Sequence, residues 1–147
     1  MDFKKAVTRH VRQGVETTHI LFQIPNEEDW HKKVIDGKRT PYEIAKHLAL
    51  LFEADLMIAK GATAEEMRRF YDQDVPIADL SDRMSASAVL FEEALRNGFE
   101  TRQTYWGVHD TDAGWCIEMV GHFYHHRAQF FDQLVLLGHV IDFQLFE

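Results

Sequence analysis

Apolar side chains return every three or four residues along four stretches of this chain, and polar or turn-forming residues separate the stretches. That spacing is the mark of helices that bury one face. Phe3, Val7, Val11, Val15 and Thr18, with Leu21 and Phe22, fall on one side of a helix predicted over 3–22. Pro25 and the polar run Asn26-Glu27-Glu28-Asp29 stop it, and Trp30 and Gly37 mark the connection that follows. The second helix starts at Thr40-Pro41-Tyr42-Glu43, a hydroxyl N-cap, a proline at the first helical position and a glutamate able to reach back to the cap. Behind this capping box Ile44, Leu48, Leu51 and Asp55 share a side, and Gly61 offers the stop. From Ala62 to Ala78 the pattern weakens to one short helical run, Glu65–Tyr71, ended by Pro76, so this segment reads as a long crossover. The third long helix begins near Asp79 or Ser81, carries Leu80, Met84, Ala88, Phe91 and Leu95, and ends at Asn97-Gly98. After a loop over 99–111 the fourth runs from about Asp112 to Leu137 and stops at Gly138. The tail His139–Glu147 keeps Val140, Ile141, Phe143, Leu145 and Phe146, and so apolar a tail is expected to pack on the bundle or on a partner chain. Strand-like alternation is not sustained anywhere. The prediction is a single all-α domain over 1–147, a four-helix bundle with a long crossover after its second helix.

Composition narrows the function classes. A chain of 147 residues is the usual size of one domain and buries roughly 70% of its unfolded surface. Its longest apolar stretches, such as Leu48–Phe52, fall far short of the ~20 residues that span a bilayer, and no signal-like run follows Met1, so no membrane partner is expected. Cys116 is the single cysteine, which excludes an internal disulfide and suits a reducing cytoplasm. A formal charge of −8, with Arg9, Arg12, Arg68 and Arg69 scattered among acids, argues against nucleic acid. The acidic surface and apolar tail point to a homodimer.

The chain has nine histidines, and the predicted fourth helix holds three of them in Gly121-His122-Phe123-Tyr124-His125-His126-Arg127-Ala128-Gln129. His122 and His126 are four apart, so their Cβ atoms lie about 5–6 Å from each other on one face. Trp115, Met119 and Gln133 share that face, which therefore points inward. Two imidazoles so placed can reach one divalent ion at about 2.0–2.1 Å. With so many histidines this spacing also arises readily by chance, and packed or solvated imidazoles explain it as well. A third ring changes the balance. His47 lies three residues after Ile44 and four before Leu51, so it projects inward from another helix, where an unpaired ring costs about 1–3 kcal/mol and a metal removes the penalty. Three neutral imidazoles leave a fourth position for water or substrate, the pattern of a catalytic metal.

The remaining candidates have plainer readings. His125 fits the rim of such a site or solvent, and His10 a core group or a wall of the pocket. His19, His31, His109 and His139 fall near segment ends and are expected on the surface. Glu118, four before His122, is either an exposed ion-pairing residue or the acceptor that orients that ring. Arg127 is expected to pair with an acid on a neighbouring helix, and Cys116 to be a packed thiol and not a ligand.

The run His122…His126-Arg127-Ala128-Gln129, followed by Leu134…Leu137-Gly138, resembles the closing helix of the DinB/YfiT-like metalloenzyme family, with its His-x-x-x-His-Arg-Gly-Gln motif, leucine-rich turn and glycine. Thr40-Pro41…Glu43-Ile44-Ala45-Lys46-His47-Leu48 is similar to that family's first-histidine helix. The resemblance covers most of the chain. It implies a bundle of up-down-down-up topology and a divalent metal, zinc or nickel, with His47, His122 and His126 as ligands. Ala128 replaces the family's glycine, and Phe123 stands where many members have glutamate, so that acid's contribution is missing here.

Characterised relatives are thiol transferases, so the resemblance implies a metal-dependent transferase that joins a low-molecular-weight thiol of the bacillithiol or mycothiol type to a small electrophile. Metal-dependent hydrolysis is the second enzymatic reading, weakened because no carboxylate base accompanies the histidines in sequence. The non-catalytic alternative is a metal- or ligand-binding bundle connected with stress. The sequence assigns no acid, base or nucleophile.

Overall fold

Thr40 begins the most deeply buried helix of the chain. Its hydroxyl accepts from the Glu43 N–H while the Glu43 carboxylate accepts from the Thr40 N–H at 2.7 Å, the capping box expected from the sequence. The helix behind it, α2 (Pro41–Ala59), is apolar nearly all round, and its Leu48, Leu50, Leu51, Phe52 and Ala54 are fully buried. A helix without a polar face lies among other helices. α2 packs on α4 (Leu80–Asn97) and α5 (Asp112–Leu136), and α1 (Phe3–Phe22) packs on the same two. The computed structural model describes residues 2–102 and 105–145. Among these are five α-helices, a 3₁₀ turn at Ile77–Asp79 and no strand. No helix among the described residues is long and apolar enough to cross a membrane.

The crossover holds α3 (Ala64–Tyr71), one residue longer at its start than its periodicity suggests. The extension comes from a second capping box, Thr63 with Glu66. Gly61 at φ +94° turns the chain off the end of α2, a conformation that costs other residues more. Gly14, inside α1, has another reason to be glycine: an added Cβ would stand 3.1 Å from the Phe123 and Tyr124 rings. It therefore sets how closely α1 approaches α5, the helix that carries two of the candidate ligands.

The tail packs on the bundle as expected through Ile141, Phe143 and Leu145, whereas Val140 is exposed and Phe146 lies outside the described residues. Buried Asp29 anchors the start of this tail. It accepts from His139 Nε2 at 2.7 Å, the Asn26 N–H at 2.9 Å and Lys32 Nζ at 3.0 Å. Burial alone would raise the Asp29 pKa, but these donors outweigh it and hold the carboxyl down at about 2.

Candidate metal centre

His47 on α2 and His122 and His126 on α5 come together, each half-buried, at the contact of the two helices. The Nε2 atoms of His47 and His122 are 3.3 Å apart, and those of His122 and His126 are 3.0 Å apart. Nitrogens that share a tetrahedral ion at about 2.0–2.1 Å stand roughly 3.3 Å from one another. The three rings offer ligand atoms all within 4.8 Å of each other.

The hydrogen bonds behind the rings explain why these nitrogens face one another. His122 Nδ1 lies 2.7 Å from Asp55 Oδ2, and His126 Nδ1 lies 2.7 Å from Gln129 Oε1. An ionised carboxylate and an amide oxygen can only accept, so each Nδ1 carries the hydrogen and each Nε2 presents a bare lone pair. Two acceptors at 3.0 Å repel unless a proton or a cation lies between them. Burial opposes the proton: it pushes His47 down to about 3 and His126 down to about 4, with neighbouring imidazoles adding to the effect. Neutral rings whose lone pairs converge are what a divalent ion requires, and the residues present fit one.

Asp55 and Gln129 hold two of the candidate ligands, contacts that sequence reasoning missed. Asp55 is buried within an apolar stripe of α2, and burial raises its carboxyl despite the hydrogen bond from His122. A carboxylate in an apolar stripe was the available signal. Gln129 links two rings, because its amide nitrogen lies 2.9 Å from His125 Nε2 while its oxygen holds His126. Tyr71, on α3, stacks on His47 with ring centroids 5.8 Å apart, and burial raises its phenol pKa. Nothing in the crossover's sequence pattern pointed to it.

The other candidates separate from the cluster. His125 is exposed and belongs to the rim. His10 is no wall of the pocket: its carbonyl accepts from the Tyr124 hydroxyl at 2.7 Å and its ring packs edge-on against Tyr124, joining α1 to α5. His31 and His109 are exposed as expected. His19 and His139 are not surface residues. Each is half-buried on one partner, His19 on Ser85 Oγ at 3.0 Å and His139 on Asp29, because helix packing and the returning tail cover the segment ends where they lie. Glu118 neither orients His122 nor forms an ion pair among the described residues; Asp55 holds that ring, and burial raises the Glu118 carboxyl. Buried Arg127 points at α1 and the tail, donating to Thr17 Oγ1 at 2.7 Å and lying 4.4 Å over the Tyr124 ring. Cys116 is a packed thiol, pushed up by burial to about 11 and apart from the ligands.

In front of the three histidines opens a pocket of about 850 Å³. Ile44, Leu50, Tyr71 and Trp106 supply apolar walls, and Lys38, Arg39 and Lys46 supply cations. That volume suits a small molecule.

Comparison with known proteins then decides the family. The family model described as the DinB superfamily matches residues 10–130. The chain belongs to the DinB superfamily. The crystal structure of a candidate DinB family member from Exiguobacterium sibiricum 255-15 is similar over 99% of both chains, with a TM-score of 0.96 and 48% sequence identity. No curated protein matches. Every stretch that builds the candidate metal centre, from α2 through Gln129, lies within the matched span.

Proposed function

We propose that this DinB superfamily protein is a metal-dependent transferase that joins a low-molecular-weight thiol to a small electrophile. The observation that carries the reading is the convergence of three imidazoles, with their Nε2 atoms turned toward one another, at the base of an open, largely apolar pocket. His47, His122 and His126 hold the ion, zinc or nickel, and Asp55 and Gln129 fix the tautomers and directions of two of the rings. A divalent ion held by three neutral imidazoles supplies a Lewis acid at an open position, where the pKa of a thiol falls toward neutrality. The walls formed by Ile44, Leu50, Tyr71 and Trp106 exclude water from the electrophile and hold its apolar part beside the sulfur. In the transfer the thiol loses its proton to solvent, a sulfur–carbon bond forms, and the leaving group departs with the bonding pair. The four long helices take the family's up-down-down-up order, which puts α2 and α5 side by side. The protein works in the cytoplasm, as a homodimer.

Hydrolysis fits the pocket less well. The carboxylates that line it are Glu43, engaged in the capping box, and Asp132, while Asp55 is held by His122.

The test is thiol conjugation by zinc- or nickel-loaded protein, with a panel of biological and synthetic thiols and a chromogenic electrophile. Acceleration that disappears on chelation and in His126→Ala is the expected result. Rates equal to the buffer reaction for every thiol would refute the reading.

A further inference from the structure

The charges around the pocket run against those of the whole chain. The protein carries a formal charge of −8, yet Lys38, Arg39 and Lys46 all line the space in front of the three histidines. Of the two acids there, Glu43 is already engaged by the Thr40 N–H and by Lys33 at 3.6 Å. That leaves Asp132 facing three cations. Among the described residues the side chains of Lys38, Arg39 and Lys46 make no hydrogen bond or ion pair. Several other cations of this protein are spent: Arg12 on Glu92, Arg83 on Glu53, Arg68 and Arg69 on Glu65, and Lys32 on Asp29.

Arg39 is also held in place. Its carbonyl accepts from the buried Gln133 amide of α5 at 2.7 Å, and the next residue is the capped Thr40. The backbone is therefore pinned from both sides while the guanidinium stays unpaired. It lines the same pocket as His47, His126 and Tyr71, on the side open to a bound molecule. A fixed backbone behind a free, always-charged fork suits an oxyanion that can accept two parallel hydrogen bonds, a carboxylate or a phosphate.

We propose that the pocket takes a small substrate bearing an oxyanion, a carboxylate or a phosphate, with Arg39 as its principal partner and Lys46 and Lys38 beside it. The proposal deepens the thiol-transfer reading and rests on it for the placement of the sulfur, but the anion site itself does not need the metal. Such a substrate gains both in affinity and in orientation, because one end is fixed at Arg39 and the other faces the histidines.

Two calorimetric titrations separate the proposal from the reading beneath it. In the first, zinc-loaded protein is titrated with mercaptosuccinate and with the uncharged 1-thioglycerol. Mercaptosuccinate is expected to bind about tenfold more tightly, as for one charge-assisted bidentate contact, and Arg39→Gln is expected to remove most of that preference while 1-thioglycerol binds as before. Lys60→Gln, an exposed cation outside the pocket, serves as the control and should change nothing. In the second, metal-free protein is titrated with succinate and with inorganic phosphate. Saturable binding of either that weakens in Arg39→Gln and with added salt upholds the anion site, even if neither thiol binds the zinc-loaded protein and the transferase reading falls. Equal affinity for the two thiols, with no Arg39-dependent binding of succinate or phosphate, overturns the proposal and leaves the transferase reading standing wherever the thiols bind.

Discussion

Two groups of histidines in this protein teach different lessons. His19 and His139 are each half-buried and each meets one protein partner, a serine hydroxyl or a carboxylate, that satisfies the ring. His47, His122 and His126 have similar burial, but two of them spend their outer nitrogen on Asp55 and Gln129 and turn the inner one toward another acceptor. What separates a structural imidazole from a candidate ligand here is the direction of its unspent lone pair. Burial alone does not distinguish them.

The comparison breaks most readily at the ligands. Single His47→Ala, His122→Ala and His126→Ala changes each remove one of three donors and are expected to lower zinc affinity by roughly 100-fold or more, measured against a chelating indicator. Retention of wild-type affinity in any of them would remove that ring from the centre.

One shell further out the effect should shrink without vanishing. Asp55→Asn keeps the shape but removes the charge behind His122, and a loss of about 10–100-fold in zinc affinity is expected. Gln129→Ala should fall near the lower end of that range, since an amide oxygen polarises the ring less. Unchanged affinity in Asp55→Asn would mean that His122 is oriented by packing alone.

Acidification sharpens the contrast in a different way. The metal-free native state holds His47 and His126 below the ordinary histidine range, near 3 and 4. As pH falls from about 7, the unfolded chain takes up protons near 6.5 that the native rings refuse, so native stability drops between about 6.5 and 4. Urea midpoints at pH 7 and pH 5 should show the decline, and the double change His47→Gln/His126→Gln should flatten it. Asp29 acts lower on the scale. Its depressed carboxyl contributes stability above about 4 that is lost as pH falls toward 2, outside this window.

The smallest effect belongs to the structural rings. His19→Ala, which loses one half-buried hydrogen bond to Ser85, should cost about 1 kcal/mol and leave zinc affinity untouched. A change in metal binding there would blur the distinction between the two groups.

Much of this was legible in the chain itself. The Thr40-Pro41-Tyr42-Glu43 box and the apolar periods located the four long helices, because caps and periodicity are local properties. The His122/His126 spacing and the inward direction of His47 pointed to the same three rings that the fold brings together, for the same reason. What supports them was harder to see. Asp55 meets His122 across 67 positions, and His139 meets Asp29 across 110, so only packing reveals either pairing. Expecting His19 and His139 at the surface followed from their places near segment ends, and it failed because α4 and the returning tail cover them. Tyr71 and Arg39 lie outside the four periodic helices, where the sequence offers no periodic signal of direction.

The most direct measurement is the zinc content of untagged protein by elemental analysis after loading and dialysis. It should be made on the wild type, on His126→Ala, and on the double variant His19→Ala/His139→Ala. The account predicts close to one ion per chain in the wild type and in the double variant, and almost none in His126→Ala. A wild type without metal, or metal that survives His126→Ala but is lost in the double variant, would contradict it.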